Sequence, residues 1–263
     1  MEAHPVRQPA GGRPRPGHGS VHRCQRAAPR RPAGRAVTGR LPALGLTPAR
    51  EGARIPMGAM TTETLTAIPS CGETCFLRHG EQLEALRSLL PSLDQGGPLL
   101  CWSAGCASGA EPLSLAMLLR EAGRSGDRIL ATDSSAAELG AARAACYGDW
   151  TLRRVDEGRR ARWFLPTGAG WRPVAELREM VEYRLHDLRS DPPPWGFDLV
   201  VCRNVLIYFD GAGALRALDR LLSAVRPGGL LLLGPVELPL ARSLPAEPVR
   251  VGGATLLRRR LDA

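Results

Sequence analysis

After residue 80, segments with the hydrophobic spacing of an α-helix alternate with short apolar segments typical of β-strands. Leucines recur at helical spacing over residues 83–93, which predicts an amphipathic helix of about four turns. An apolar run over residues 99–104, preceded by Gly-Gly-Pro, predicts a buried strand. The same alternation predicts helices over residues 111–122, 136–146 and 213–225, and strands over residues 128–132, 180–185, 197–202 and 230–233. Strands that alternate with helices predict a mostly parallel sheet of the α/β class.

The C-terminal segment has the pattern of a hairpin. Two short apolar stretches, residues 248–251 and 254–258, are separated by Gly252-Gly253. Paired glycines suit a tight turn in which φ is positive at both positions. We therefore expect an antiparallel edge on the sheet. Residues 227–229, Pro-Gly-Gly, predict a turn before the strand at 230–233.

Residues 1–60 differ from the rest of the chain. They contain nine prolines and nine glycines, and no helical or strand period persists among them. We expect this tail to be disordered because few large apolar residues offset the entropy of ordering it. It is a basic arm, an inert linker, or upstream sequence before a true start at Met57 or Met60; composition favours the last two. Residues 61–261 then form the folded domain.

The strongly basic balance of the chain belongs to that tail. The net charge is +9, and every basic residue is arginine. Residues 1–60 hold 11 arginines against two glutamates, which leaves 24 of the 35 basic and 24 of the 26 acidic residues in the remainder. A neutral domain does not indicate a nucleic-acid partner.

The seven cysteines show no C-x-x-C pair, which argues against a disulfide framework or a zinc site and favours a reducing compartment. No segment has the roughly 18 apolar residues of a membrane span, and the N-terminus lacks the apolar core of a signal peptide. We expect a cytoplasmic monomer with no metal and no membrane insertion.

A glycine-rich loop follows the first predicted strand and opens a helix. Gly105 and Gly109 allow a tight turn and a close approach to a ligand, and Glu111 offers an acceptor for an ammonium group. The spacing G-x-x-x-G is not the dinucleotide fingerprint. Ligands of open α/β sheets bind at the carboxyl ends of the strands, so a cofactor is the favoured interpretation. An ordinary turn with a glutamate at its helix is the alternative.

Asp133 ends the second predicted strand, 28 positions after Gly105. An acidic side chain there is placed to accept hydrogen bonds from both hydroxyls of a ribose. Alternatively, Asp133 is only the N-cap of the following helix. Together with the glycine loop, ribose binding becomes the better interpretation.

A third group of polar residues follows the buried strand at 197–202. Arg203 and Asn204 come directly after the strand and are expected to face the same crevice, with Tyr208 and Phe209 as walls. Asp210 is expected to cap the next helix.

Three motifs, in this order, carry a family resemblance: ETCFLR from residue 73, WSAGCASGAEP from residue 102 and CRNVLIYFD from residue 202. They resemble the CheR-type protein-glutamate O-methyltransferases of bacterial chemotaxis, over about residues 64–260. The resemblance implies a Rossmann-like class I methyltransferase fold with a small β-subdomain within residues 147–186. It further implies that S-adenosylmethionine is the methyl donor, S-adenosylhomocysteine the product, and glutamates on cytoplasmic helices of methyl-accepting chemoreceptors the acceptors.

The resemblance also assigns roles to residues. It implies that Arg78 and Tyr208 lie at the methyl-transfer site. The cofactor-binding residues that it implies are Thr74, Arg78, Gly105, Glu111, Asp133, His186, Asp187, Arg203 and Asn204. The chain departs from the family pattern at several positions: Gly72 for asparagine, Leu77 for phenylalanine, Ala110 for glutamate, Leu113 for tyrosine, and His186-Asp187 where an asparagine-leucine pair is expected. Residues 1–60 are also not expected to fold into the family's helical N-terminal domain; either part of that function is lost, or the true upstream sequence is not represented here.

The departures leave other functions open. A cofactor-binding regulatory module without turnover is one, because function depends on the geometry of a site rather than on the fold. Methylation of a small molecule or of another protein is a second. Nucleic-acid binding through the arginine-rich tail is a third, which the neutral domain does not favour.

Overall fold

The computed structural model describes residues 74–261. The predictions for residues 1–60 and the departure at Gly72 lie outside this range. Within it the chain forms nine strands and six α-helices. The helices are α1 (Gly80–Leu89), α2 (Ala110–Glu121), α3 (Ala136–Ala144), α4 (Glu157–Trp163), α5 (Ala175–Arg178) and α6 (Gly211–Ala224). The strands are β1 (Leu100–Ala104), β2 (Arg128–Asp133), β3 (Phe164–Thr167), β4 (Gly170–Pro173), β5 (Val181–Leu185), β6 (Phe197–Cys202), β7 (Val225–Leu233), β8 (Ala246–Val251) and β9 (Ala254–Arg259). Short 3₁₀ helices cover Leu90–Leu93, Leu206–Tyr208 and Leu238–Ser243.

Seven strands form one sheet in the order β5-β2-β1-β6-β7-β9-β8. The first five are parallel, and β9 runs antiparallel to both β7 and β8. Gly252 and Gly253 turn the last hairpin with φ of 54° and 83°. The predicted Rossmann-like α/β fold, with a parallel centre and an antiparallel C-terminal hairpin, is confirmed. The strand order reverses between β1 and β6, and such a switch point is where open α/β sheets bind ligands.

Helices cover both faces of the sheet because successive side chains of each strand point to opposite sides. Cys101 lies in the core that contains α1 and α2, whereas its neighbour Trp102 lies in the core beneath α6. Leu139 of α3 packs on Ala131 of β2. β6 is buried at every position, as expected for a central strand covered twice.

The predicted β-subdomain is the two-stranded antiparallel sheet of β3 and β4. It is linked to the start of the described chain through Phe76, whose ring is fully buried. That ring makes edge-to-face contacts with Tyr147 and Phe164, at centroid distances of 4.9 and 5.0 Å. Phe76 thereby fixes the segment that precedes α1 against the insertion.

The turn predicted at residues 227–229 is wrong. β7 begins at Val225, which pairs with Phe197, and the register then shifts before pairing resumes at Leu199. The Pro-Gly-Gly sequence is thus an irregularity inside a strand rather than its boundary. No helix within residues 74–261 is long and apolar enough to cross a membrane.

Candidate active site

A cavity of about 380 Å³ opens at the carboxyl ends of β1, β2 and β6, at the switch point of the sheet. Every residue that the sequence assigned to the site lines this cavity. They are Thr74, Arg78, Gly105, Glu111, Asp133, His186, Asp187, Arg203, Asn204 and Tyr208. The walls also include Cys75, Cys106, Ala107, Ser134, Glu138, Leu188, Arg189, Val205 and Phe209. The structure brings the candidate residues together, and their individual roles remain proposals.

The glycine loop is tight because two loops meet there. Gly105 has a φ of +76°, and a Cβ atom added to it would lie 2.5 Å from Cγ2 of Val205, which follows β6. The Gly105 and Cys106 N–H groups both donate to the Thr132 carbonyl at 2.8 Å. The absent side chain therefore allows the loops after β1 and β6 to form one wall of the cavity.

We expect Gly105→Ala to destabilise the protein by about 1–3 kcal/mol and to weaken binding of S-adenosylhomocysteine, the product that the resemblance implies, because alanine must both adopt a positive φ and displace Val205. Chemical denaturation and calorimetry measure the two effects. Gly140→Ala is the matched control, because nothing lies within 4 Å of a Cβ atom built there. Wild-type stability and affinity in Gly105→Ala would contradict this explanation.

Asp133 is held by backbone groups on both of its oxygens. Oδ2 accepts from the Ala107 N–H at 2.9 Å and Oδ1 from the Ser135 N–H at 2.8 Å. The N-cap of α3 is Ser135, whose side chain accepts from the Glu138 N–H, so the alternative interpretation of Asp133 as the cap is wrong. A carboxylate oxygen has two lone pairs. Each Asp133 oxygen therefore keeps one for a ligand hydroxyl.

Arg203 and Glu111 form a largely buried ion pair. Arg203 Nε donates to Glu111 Oε2 at 2.9 Å, and the arginine side chain is only 2 % exposed. Glu111 Oε1 accepts from the Ser103 hydroxyl at 2.9 Å, while Arg203 Nη1 donates to the Arg78 carbonyl at 2.6 Å. Removing either partner would leave a poorly compensated buried charge. The pair connects β1, β6 and α2 to the backbone at Arg78.

The segment that carries Arg78 is held by backbone hydrogen bonds of the two residues before it. The Leu77 N–H donates to the Ser114 hydroxyl at 2.9 Å, and the Phe76 N–H donates to the Thr151 carbonyl at 3.0 Å. Leu77 and His79 have φ of 53° and 55°, an unfavourable region for residues with a Cβ atom. Strained backbone on both sides of Arg78 is held by the fold, as is common where a side chain must be aimed.

His79 is expected to be neutral at neutral pH. Burial lowers its pKa below the ordinary value of 6.5, and the nearby charges of Arg203 and Arg78 lower the pKa further. Below about pH 6.5 the unfolded chain binds the proton more readily than the folded protein. The contribution of His79 to stability is therefore present above that pH and is lost as the pH falls.

We expect His79→Asn to reduce the loss of stability between about pH 7.5 and about pH 5.5. Asparagine tolerates a positive φ and does not titrate. Urea unfolding of both proteins at the two pH values measures the difference. An equal loss in the variant would exclude His79 as a source of the pH dependence.

The model of the CheR methyltransferase family's SAM-binding domain matches residues 72–242. The chain belongs to the CheR family. It is 35% identical over 202 residues to a chemotaxis protein methyltransferase of Listeria monocytogenes, covering 75% of each chain. It is 37% identical to chemotaxis protein methyltransferase 1 of Pseudomonas aeruginosa, over 63% of this chain and 65% of that one. A probable biofilm formation methyltransferase of P. aeruginosa is 32% identical, over 73% and 47%. The chain is thus an S-adenosylmethionine-dependent methyltransferase.

The cavity of this CheR-family chain fits its cofactor. His186 Nδ1 is buried and forms no hydrogen bond with the described residues. An unpaired buried polar atom costs about 1–3 kcal/mol, so this position favours a polar ligand. Asp133 adds the free lone pairs described above. Among residues 74–261, no group of three or more His, Cys, Asp or Glu side chains is placed to hold a metal ion.

The segment that begins at His186-Asp187, where the resemblance expects an asparagine-leucine pair, forms part of the cavity wall. The Asp187 carboxylate accepts from the Arg189 side chain at 3.0 Å, which lowers the pKa of Asp187. Leu188 is buried and lines the cavity, although the sequence did not single it out. Asp187 and Leu188 together therefore form a polar and an apolar part of this wall, beside His186.

Two departures from the family pattern lie away from the cavity. Ala110 and Leu113 are fully buried in the core beneath α2 and do not line the cavity. Leu77 packs against the same core. At these three positions the chain has apolar side chains that pack in the core.

Proposed function

We propose that this chain transfers the methyl group of S-adenosylmethionine to glutamate side chains on the cytoplasmic helices of a chemoreceptor-like protein, forming glutamate methyl esters. The observation that carries the proposal is that Arg78 and Tyr208 line the same cavity as Asp133 and Glu111. An arginine is a strong hydrogen-bond partner for a carboxylate. The names of the relatives, chemotaxis protein methyltransferases, support this class of acceptor.

The residues of the cavity would hold the cofactor by complementary polarity. Asp133 would accept from the ribose hydroxyls. Asn204, which lines the cavity, and His186, through its unpaired Nδ1, would contact polar groups of the ligand. Glu111, whose carboxylate is already paired with Arg203, would accept a hydrogen bond from an ammonium group through a remaining lone pair. When bound, S-adenosylmethionine supplies an electrophilic methyl group on a positively charged sulfur and leaves as the neutral thioether.

The protein's task at the acceptor is alignment. A glutamate has a reference pKa of about 4.3, so the acceptor is ionised near neutral pH and needs no general base. Arg78 would orient the carboxylate, and Tyr208, on the 3₁₀ helix after β6, would complete the methyl pocket. Holding the reacting groups in line lowers the activation free energy, because the entropic cost of bringing the free reactants into this arrangement is met on binding.

A methyl-transfer assay tests the proposal. Purified protein is incubated with S-adenosylmethionine labelled in its methyl group and with cytoplasmic fragments of chemoreceptor-like proteins from the same genome. We expect protein-bound label that base releases as methanol, because methyl esters hydrolyse in base. Base-stable label would instead support a nitrogen or carbon acceptor. Binding of the cofactor without any transfer would support a regulatory module.

A further inference from the structure

A buried carboxylate connects the loops that follow β6 and β7. Glu237 is fully buried. Its Oε1 accepts from the N–H groups of Val205 and Leu206 at 2.7 and 2.8 Å. Its Oε2 accepts from the N–H groups of Asn204 and Gly234, both at 2.9 Å. Both oxygens are therefore bound by backbone amides.

The buried carboxylate of Glu237 depends on these four hydrogen bonds. Burying a carboxylate is costly unless it is fully hydrogen-bonded, and within residues 74–261 no arginine pairs with Glu237. A Cβ atom at Gly234 would lie 2.5 Å from Glu237 Oε2, so a side chain there would displace the carboxylate. Asn204 has a φ of 60°, so one of the donors belongs to a residue in the left-handed region. The carboxylate compensates backbone groups that no regular element satisfies.

The loop that Glu237 holds forms one wall of the cofactor cavity. Asn204, Val205 and Tyr208 line the cavity, and Glu237 itself is absent from its lining. Asn204 donates one of these amide hydrogen bonds to Glu237, and the same residue lines the cavity. We infer that Glu237 is a positioning residue: its carboxylate fixes the loop after β6 so that Asn204 and Tyr208 face the cofactor and the acceptor. The part that concerns Tyr208 rests on the proposed function, and the part that concerns Asn204 rests on the cofactor alone.

Glu237→Gln tests the inference with almost no change in shape. Glutamine has one acceptor oxygen, and its NH₂ group must face two of the backbone N–H donors. We expect S-adenosylhomocysteine affinity, measured by calorimetry on the folded protein, to fall about tenfold, because displacing the loop removes a hydrogen bond to the cofactor. In the methyl-transfer assay kcat should fall at saturating cofactor.

Glu247→Gln is the matched control, because that side chain is 64% exposed on β8. We expect wild-type affinity in the control. A merely structural role for Glu237 would lower the free energy of unfolding and leave the affinity of the folded protein unchanged, and this outcome would overturn the inference. The affinity measurement needs no acceptor, so it remains decisive even if no carboxylate is methylated and the proposed function fails.

A second variant covers the case in which Glu237→Gln does not fold. Glu237→Asp keeps the charge and both oxygens but shortens the reach by one methylene, so affinity should again fall. Hydrogen exchange of the wild-type protein adds a test without mutation. Binding of S-adenosylhomocysteine should slow exchange of the amides of residues 204–206. Unchanged affinity in Glu237→Asp, or unchanged exchange at these amides, would overturn the inference.

Discussion

Arg78→Ala is expected to lower kcat on the order of 100-fold while leaving S-adenosylmethionine affinity close to that of the wild type. The change removes the guanidinium proposed to align the acceptor carboxylate. It keeps the Arg78 carbonyl, which accepts from Arg203 at 2.6 Å and helps to hold the segment in place. Steady-state methyl transfer and calorimetry measure the two quantities separately.

Two further variants make this experiment specific. Arg87→Ala removes the same side chain from an exposed position in the last turn of α1 and should leave turnover unchanged. Arg78→Lys keeps the charge but not the planar pair of donors, so it should recover only part of the activity. Wild-type turnover in Arg78→Ala would remove Arg78 from the methyl-transfer site.

Asp133→Asn is expected to weaken cofactor binding by about 10- to 100-fold, because a hydrogen bond to a charged group contributes about 1.5–3 kcal/mol. The amide keeps one acceptor oxygen, so it retains only part of the contact with the Ala107 and Ser135 amides. Asp133→Ala removes both acceptors and should weaken binding further. Calorimetry with S-adenosylhomocysteine measures the affinity.

The control for this variant is Asp219→Asn, an exposed position on α6, which should bind the cofactor normally. Stability is measured alongside, since both oxygens of Asp133 also satisfy backbone groups. Normal affinity in Asp133→Asn and Asp133→Ala would exclude Asp133 from the binding site.

Periodicity was sufficient for β1, β2, β5 and β6 because these strands are short, apolar and bounded by glycine or polar residues, whereas it missed the first half of the longer β7. β6 occupies the predicted residues 197–202, and β2 ends at Asp133. Periodicity failed in the insertion, where α4, β3, β4 and α5 are each seven residues or shorter. Such elements are too short to establish a period, and their order depends on contacts such as those of Phe76.

The candidate site was predictable because of a topological rule. Residues at the carboxyl ends of adjacent parallel strands meet at one edge of the sheet, and β2, β1 and β6 are adjacent, so Gly105, Asp133 and Asn204 are neighbours. Arg78 came from the family resemblance alone, since nothing in its own spacing brings it to that edge. Glu237 was missed for a different reason: its partners are backbone amides, which carry no residue-type signature.

The proposal that this CheR-family chain esterifies glutamate side chains is tested most directly by locating the transferred methyl group. Chemoreceptor-like fragments are incubated with the protein and S-adenosylmethionine, digested, and sequenced by tandem mass spectrometry, with Asp133→Asn as the parallel sample. We predict one added methyl group on specific glutamate side chains with the wild-type protein and much less with the variant. Methylation confined to other residue types, or none on any fragment while the wild-type protein binds S-adenosylhomocysteine normally, would contradict it.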